Sequence, residues 1–98
     1  MSKRVSTHEL AEFELNDAAD YYESREPRLG PIFIRTVQQA VHQLTQYPES
    51  APIVRGNARR KVLTRFPYNV IYTVDADTIR VLAIAPQRRR PLYWRRRR

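Results

Sequence analysis

Two consecutive amphipathic helical patterns, joined by a very short link, most constrain the fold of this chain. The first predicts a helix over residues 8–25, and the second predicts a helix over residues 29–47 that ends before Pro48. The link, residues 26–30, contains a proline and a glycine. Helices joined so tightly run antiparallel as an αα-hairpin, whose apolar faces need another layer to cover them.

Each predicted helix carries one apolar stripe at three- and four-residue spacing. The first stripe comprises Ala11, Leu15, Ala18, Ala19 and Tyr22. The second comprises Leu29, Phe33, Val37, Ala40, Leu44 and Tyr47. Ser6 and Glu9 have the spacing of a capping box before the first helix. Asp17, Asp20 and Glu23 lie mainly off the first stripe, so we interpret them as a solvated face rather than as paired catalytic carboxylates.

The rest of the chain has the alternation and punctuation of β structure. Strands are predicted at residues 3–7, 59–66, 68–74 and 78–85. Pro67 separates the second from the third because proline lacks a ladder donor. Residues 47–57 are predicted to be a connector, and residues 75–77 a turn. The expected faces of the last strand are Ile79, Val81, Ala83 and Ala85 on one side and Arg80, Leu82 and Ile84 on the other.

These elements predict an α+β fold with a short N-terminal strand and an αα-hairpin packed on a three- to four-stranded, largely antiparallel sheet. The length of 98 residues fits one domain, which we assign to residues 1–94. Residues 95–98 are four arginines. We expect this basic tail to be disordered, with nothing in it buried, because like charges repel.

The formal net charge of +8 is unevenly placed along the chain. Residues 1–50 carry five Lys/Arg against eight Asp/Glu, whereas residues 51–98 carry thirteen against two. Such segregation predicts a C-terminal half that attracts polyanions or an acidic protein. The alternative is a solvated basic face that serves only solubility.

Several classes of site are excluded or disfavoured by residue type. The chain has no cysteine, so a disulfide, a thiolate zinc site and a cysteine nucleophile are impossible. His8 and His42 lie on the predicted helices without ligand spacing, and two glycines cannot make a glycine-rich phosphate loop. We therefore expect no metal and no cofactor. Apolar runs are too short to span a membrane, so a cytoplasmic protein without membrane contact is expected.

The candidate working surface lies where the last strand ends. An antiparallel order brings the start of the C-terminal segment near Arg65, so we expect Arg65 and Arg88 to meet beside Tyr93 and Trp94. Guanidinium groups bind phosphate in a bidentate manner, and aromatic rings stack on bases. RNA cleavage there would need a proton donor, for which Tyr93 or Tyr68 is a candidate, and a base, which the sequence does not supply. For Trp94, a packing anchor and a partner-facing role are both open.

Four segments in this order resemble the RelE/ParE superfamily of toxins from bacterial type II toxin–antitoxin modules. They are Leu15–Tyr22, Tyr47–Glu49, Arg65–Tyr72 and Val81–Trp94. The resemblance extends from Val5 to Trp94 and implies a small cytoplasmic toxin in a hetero-oligomer with a cognate antitoxin. We expect an acidic or amphipathic antitoxin segment to cover the region of Arg65 and Arg88.

The superfamily has two branches with different targets. RelE-like members cleave mRNA on the ribosome, whereas ParE-like members inhibit DNA gyrase and are not nucleases. Asn69 stands where the ribonuclease branch has an arginine, and Arg60 and Val62 stand where it has two lysines. Pro86 stands where close relatives typically carry a histidine. The resemblance therefore favours a ParE-like gyrase inhibitor, most simply not an enzyme.

Each hypothesis names its own residues. For binding the target, the set is Arg65, Arg88, Arg89, Arg90, Tyr93 and Trp94. For the alternative, a metal-independent mRNA endonuclease acting on the ribosome, the set is Arg60, Arg65, Arg88 and Tyr93. A third hypothesis is a non-toxic module that binds nucleic acid through the basic half.

Overall fold

One strand, two helices and then four strands follow one another in the computed structural model, which describes residues 3–98. Met1 and Ser2, which begin the domain assigned from the sequence, lie outside the described residues. The elements are β1 (Arg4–Thr7), α1 (Glu9–Arg25), α2 (Leu29–Gln46), β2 (Ile53–Arg55), β3 (Ala58–Val62), β4 (Tyr68–Asp75) and β5 (Thr78–Pro86). In residues 3–98, no helix is long and apolar enough to cross a membrane.

All five strands form one sheet in the order β1-β5-β4-β3-β2. Strand β1 runs parallel to β5, and the other neighbours are antiparallel. This arrangement confirms the predicted α+β class, with one strand more than the predicted maximum. The extra strand is β2, which lies inside the predicted connector. Three residues next to Pro52 give no readable alternation, so its pairing with β3 decides its conformation.

Strand β3 ends at Val62, so the predicted strand over residues 59–66 is too long. Residues 63–67 form a loop in which the Leu63 N–H donates to the Tyr68 carbonyl over 3.0 Å. The Tyr68 N–H turns back to the Phe66 carbonyl over 2.8 Å. The Phe66 ring is buried, so its apolar character reflects packing rather than a strand.

The helical hairpin begins and turns through side chains other than those predicted. Ser6 belongs to β1, and the His8 Nδ1 accepts from the Leu10 N–H over 3.0 Å to cap α1. The Glu23 carboxylate accepts from the N–H groups of Arg28 (3.1 Å) and Gly30 (3.0 Å), so Glu23 closes the start of α2. The predicted capping box is therefore wrong, and Glu23 is more than part of a solvated face.

Both helices lie on one face of the sheet, the inner face. Their predicted stripes are confirmed there, for example by the buried Ala11, Ala18 and Phe33. The exception is Tyr47, which follows the end of α2 and is 67 % exposed, so its place in the second stripe was predicted wrongly. Strands β4 and β5 supply the opposing side chains, which are Val70, Tyr72, Ile79, Val81 and Ile84. Rings from α1, α2 and the loop before β4 pack together, with centroids 4.9–5.2 Å apart among Tyr22, Phe33 and Phe66.

A β-bulge in β5 changes which side chains face the helices. Ile71 pairs with Ala83 and Tyr72 pairs with Val81, so Leu82 is the extra residue. The predicted alternation is therefore wrong beyond Leu82. Leu82 and Ala83 join the cluster on the outer face, away from the helices, and Ile84 joins the inner one.

Candidate functional site

The outer face of the sheet is covered by the C-terminal segment, residues 87–98. Its anchor is Trp94, which is 5 % exposed and packs on a small apolar cluster. That cluster comprises Ala58, Ile71, Leu82, Ala83 and Ala85. Trp94 is therefore a packing anchor in this structure. Its place in the target-binding set stays a prediction.

Glu14 of α1 holds the same segment from the side. Its carboxylate accepts from the Tyr93 hydroxyl over 2.8 Å and from Arg97 Nη1 and Nη2 over 2.8 and 3.1 Å. It also accepts from the Ile84 N–H over 3.1 Å, on the edge of β5 beyond the last pair with β1 at Val81. The side chains of Glu14 and Arg97 are each 12 % exposed, so this ion pair is largely shielded from water.

The expectation that nothing in the basic tail is buried is wrong at Arg97, whose side chain is 12 % exposed. Its guanidinium contacts Glu14 and also donates to the Leu82 carbonyl over 3.1 Å. Glu14 was not among the residues predicted from the sequence to act at the site. A signal was available, because Glu14 lies three residues after Ala11 and four before Ala18, within the apolar stripe of α1. A carboxylate in that stripe needs a partner, but the stripe does not name one 83 residues away.

Tyr93 lies between two guanidinium groups. The Arg89 Cζ is 3.8 Å from its ring centroid, and the Arg97 Cζ is 5.1 Å from it. Burial and the hydrogen bond to Glu14 raise the pKa of the Tyr93 phenol well above its usual range. Tyr93 therefore keeps its proton at neutral pH and directs it to a carboxylate of its own chain.

A small hollow of about 100 Å³ opens beside Tyr93 on the outer face. Its polar lining consists of Arg60, Asn69, Gln87, Arg89, Arg90 and Tyr93. The Asn69 Oδ1 is buried there and has no hydrogen-bond partner. The hollow therefore combines three guanidinium groups with an amide oxygen that accepts no bond within the chain.

The loop before β4 lies beside the end of β5, as predicted, and hydrogen bonds of Gln87 connect the two. The Gln87 N–H donates to the Pro67 carbonyl over 2.9 Å, and its Nε2 donates to the Leu63 and Tyr68 carbonyls over 3.3 Å each. Arg65 and Arg88, on either side of this junction, are exposed, and neither lines the hollow.

The four residues named for RNA cleavage are thus divided. Arg60 and Tyr93 line the hollow, whereas Arg65 and Arg88 lie outside it. Arg89 and Arg90 stand in the hollow instead.

The histidines have ordinary structural contacts. His8 caps α1, and the His42 Nε2 lies 3.2 Å from the Gln46 amide nitrogen. Within the part of the chain that the structure describes, no group of three or more His, Cys, Asp or Glu side chains is placed to hold a metal ion.

Residues 5–91 match the family model of the ParE toxin of the type II toxin–antitoxin system parDE. The chain belongs to the ParE toxin family. Its fold is similar to that of a chain in the solved chromosomal ParDE TA system from P. aeruginosa, with a TM-score of 0.76 and 20 % sequence identity. The similarity covers 87 % of this chain and 96 % of that chain. The comparison with curated proteins found no match.

ParE family membership confirms the resemblance inferred from the four sequence segments. The matched range includes the hollow's arginines at positions 60, 89 and 90 but ends before Tyr93, Trp94 and Arg97. The side chains by which the C-terminal segment is held therefore lie beyond the family match, whereas their partner Glu14 lies within it.

Proposed function

We propose that this protein is the toxin of a type II toxin–antitoxin pair, that it inhibits DNA gyrase by non-covalent binding, and that a cognate antitoxin neutralises it. The observation that carries the proposal is the match to the ParE family over residues 5–91. Gyrase is the target assigned to that branch by the resemblance described above.

The chemistry of the hollow supports a binding protein over a nuclease. Cleavage at a 2′-hydroxyl needs a base to take its proton. The described residues that line the hollow include no Asp, Glu, His or Lys. Asn69 supplies no charge there, and the Tyr93 proton is engaged by Glu14.

The proposed contact with gyrase uses the exposed arginines that follow β5 and the one in the loop before β4. They are Arg65, Arg88, Arg89 and Arg90. Arg65 comes just before β4, and the other three follow the end of β5. The hydrogen bonds of Gln87 hold these two ends of neighbouring strands together. Arginine is favoured in protein interfaces because its planar group makes several directed hydrogen bonds.

The proposed antitoxin site combines the region of these arginines with an apolar groove of about 330 Å³ between the helices and β1. Val5, Leu15 and Val41 are among its lining residues, and Val5 is 46 % exposed on the sheet's outermost strand. An amphipathic antitoxin segment would bury its apolar face in this groove. Its acidic groups would then reach the Arg65 and Arg88 region.

Induction of the chain alone, and then with the small protein encoded beside it, tests the proposal. We expect growth arrest with loss of plasmid supercoiling and gyrase-linked DNA breaks, while protein synthesis initially continues. Co-expression should restore growth and yield a stable complex. Arrest with normal supercoiling would refute gyrase as the target, and failure of the neighbour to bind would refute the antitoxin assignment.

A ribosome-dependent mRNA endonuclease is the second candidate, favoured by the convergence of Arg60, Arg89 and Tyr93 in the hollow. It predicts a rapid halt of translation with cuts in translated messages. The variant Arg60→Ala should then lose activity, whereas a gyrase inhibitor should retain it, because Arg60 is not among the residues proposed to bind gyrase. The control is Arg25→Ala/Arg35→Ala, in which both changes lie on the exposed helical surface.

A further inference from the structure

A second, larger hollow of about 640 Å³ lies on the outer face, on the other side of Trp94. We name it the arginine trough after five of its lining residues, Arg55, Arg80, Arg95, Arg97 and Arg98. The edge strand β2, the interior strand β5 and the C-terminal segment supply these groups. No function discussed so far uses it.

The trough carries an uncompensated positive charge. In residues 3–98, the single ion pair between side chains joins Arg97 to Glu14, so the other four arginines have no Asp or Glu partner. Asp75 is the one acidic side chain among the lining residues. Four guanidinium groups without an Asp or Glu partner, beside one acidic side chain, make a strong site for an anion with several charges.

Arg80 is held in place at the base of the trough. It pairs with Ser6 of β1 and Thr73 of β4 across the sheet, which fixes its backbone in the centre of three strands. Its guanidinium donates to the Ser6 Oγ over 3.3 Å and to the Arg98 backbone oxygen over 3.1 Å. A guanidinium has five N–H donors, so Arg80 retains donors for a ligand while losing little side-chain entropy.

The other arginines surround Arg80 from different elements. Arg55 ends β2 next to the turn at Gly56, and Arg95 follows the Trp94 anchor. Both are exposed. Their separate origins spread the charge along the trough, which suits a ligand with repeated phosphates better than a single small anion.

We propose that the arginine trough binds the phosphate backbone of duplex DNA without reading its sequence. The aromatic residue of the lining, Trp94, is buried beneath the tail, so the trough offers no exposed ring on which an unpaired base could stack. Large exposed apolar side chains such as Phe13 and Tyr21 lie on α1, outside the trough, which disfavours a membrane surface. The proposal does not depend on gyrase inhibition.

Fluorescence anisotropy with the purified full-length protein tests this inference. Two labelled duplexes of equal length and unrelated sequence should bind with equal affinity, and the matching single strands should bind more weakly. The variant Arg55→Ala/Arg95→Ala should weaken duplex binding about tenfold and reduce the slope of log affinity against log salt by about 2. Both residues are exposed, so the fold should survive, as circular dichroism will verify.

Two matched double variants complete the experiment. Arg25→Ala/Arg35→Ala removes the same charge from the helices and should change affinity less than about twofold. Arg88→Ala/Arg90→Ala removes it from the residues that follow β5, outside the arginine trough, and should also leave binding largely intact. Equal losses in all three variants, a loss confined to Arg88/Arg90, preference for single strands, or no binding at all would each overturn the proposal. No gyrase is present, so failure here leaves gyrase inhibition untouched.

Discussion

Glu14 joins three parts of the chain that are far apart in sequence: its own helix, strand β5 and the C-terminal segment. Replacing it by alanine leaves the Ile84 N–H, the Tyr93 hydroxyl and the Arg97 guanidinium without their acceptor. We expect Glu14→Ala to lower the free energy of unfolding by about 1–3 kcal/mol, measured by urea denaturation. The cost arises because these donors are shielded from water in the folded state.

Glu12→Ala is the matched control for this substitution. Glu12 is exposed on the same helix, so the change in helix propensity is the same while no such contacts are lost. Equal unfolding free energies for the two variants would show that the Glu14 contacts add nothing to stability.

Tyr93 gives the protein a pH dependence in alkali. Its pKa is raised above the ordinary 10.0 in the folded state, first by burial and then by the bond to Glu14. The unfolded chain therefore loses the Tyr93 proton before the folded chain does, and the stabilising contribution is present below pH 10 and falls above it. We expect the difference in unfolding free energy between wild type and Tyr93→Phe to fall as the pH rises past 10. A difference that stays constant or grows would contradict this sign.

At the residue scale, the sequence identified the arginines but not their contacts. Clustered Arg88, Arg89 and Arg90 were visible as candidate binding groups because charge is a property of composition. Arg89 differs from Arg88 because it packs on the Tyr93 ring, and Arg97 differs from its neighbours because it pairs with Glu14. Both contacts join residues that only folding brings together. Trp94 was equally ambiguous, since an anchor and a partner-facing aromatic have the same sequence pattern.

At the scale of elements, the tight crossing of α1 and α2 depends on Gly30. A Cβ at this position would lie 2.7 Å from the Ala19 carbonyl oxygen and 3.1 Å from the Glu23 Cβ. The first neighbour is backbone and cannot turn aside. We therefore expect Gly30→Ala to destabilise the protein by about 1–3 kcal/mol in thermal or urea unfolding. Helix propensity alone predicts a gain of about 1 kcal/mol, so an increase in stability would contradict the packing argument.

Elements were predictable where one local rule determined them. The helices follow from stripes that continue over several turns, and the strands β4 and β5 from long apolar alternation. Strand β2 was not predictable, because three residues are too few to show an alternation. The end of β3 was not predictable either, because the buried Phe66 has the apolar character of a strand residue. The bulge at Leu82 was also hidden, since both faces of β5 are apolar and either register reads equally well.

The whole molecule has two apolar layers, one on each face of the sheet, and they are covered by different parts of the chain. The inner layer lies between the sheet and both helices, whereas the outer layer depends on Trp94 and its neighbours in the C-terminal segment. The same segment separates the small hollow from the arginine trough. The C-terminal segment therefore both stabilises the outer layer and positions the basic groups of the two hollows.

Charge is distributed just as unequally over the molecule. The residues after position 50 carry thirteen basic against two acidic side chains, and they form four of the five strands and the C-terminal segment. Mutual repulsion among these arginines opposes folding, and salt screens it. The Glu14–Arg97 pair, which salt would weaken, is 12 % exposed and so is screened little. We therefore expect the thermal midpoint to rise as sodium chloride increases from low to physiological concentration.

The size and source of this rise can be tested by calorimetry on matched variants. For a domain of this size, about 1 kcal/mol of relieved repulsion corresponds to about 4–8 °C. Arg88→Ala/Arg90→Ala removes charge from the repulsive half and should show a smaller rise. Arg25→Ala/Arg35→Ala removes charge from the half with an acidic excess, where basic groups have attractive neighbours, and should keep the full rise. A midpoint that falls with salt in wild type would mean that attractive pairs, rather than repulsion between arginines, dominate the electrostatics of the fold.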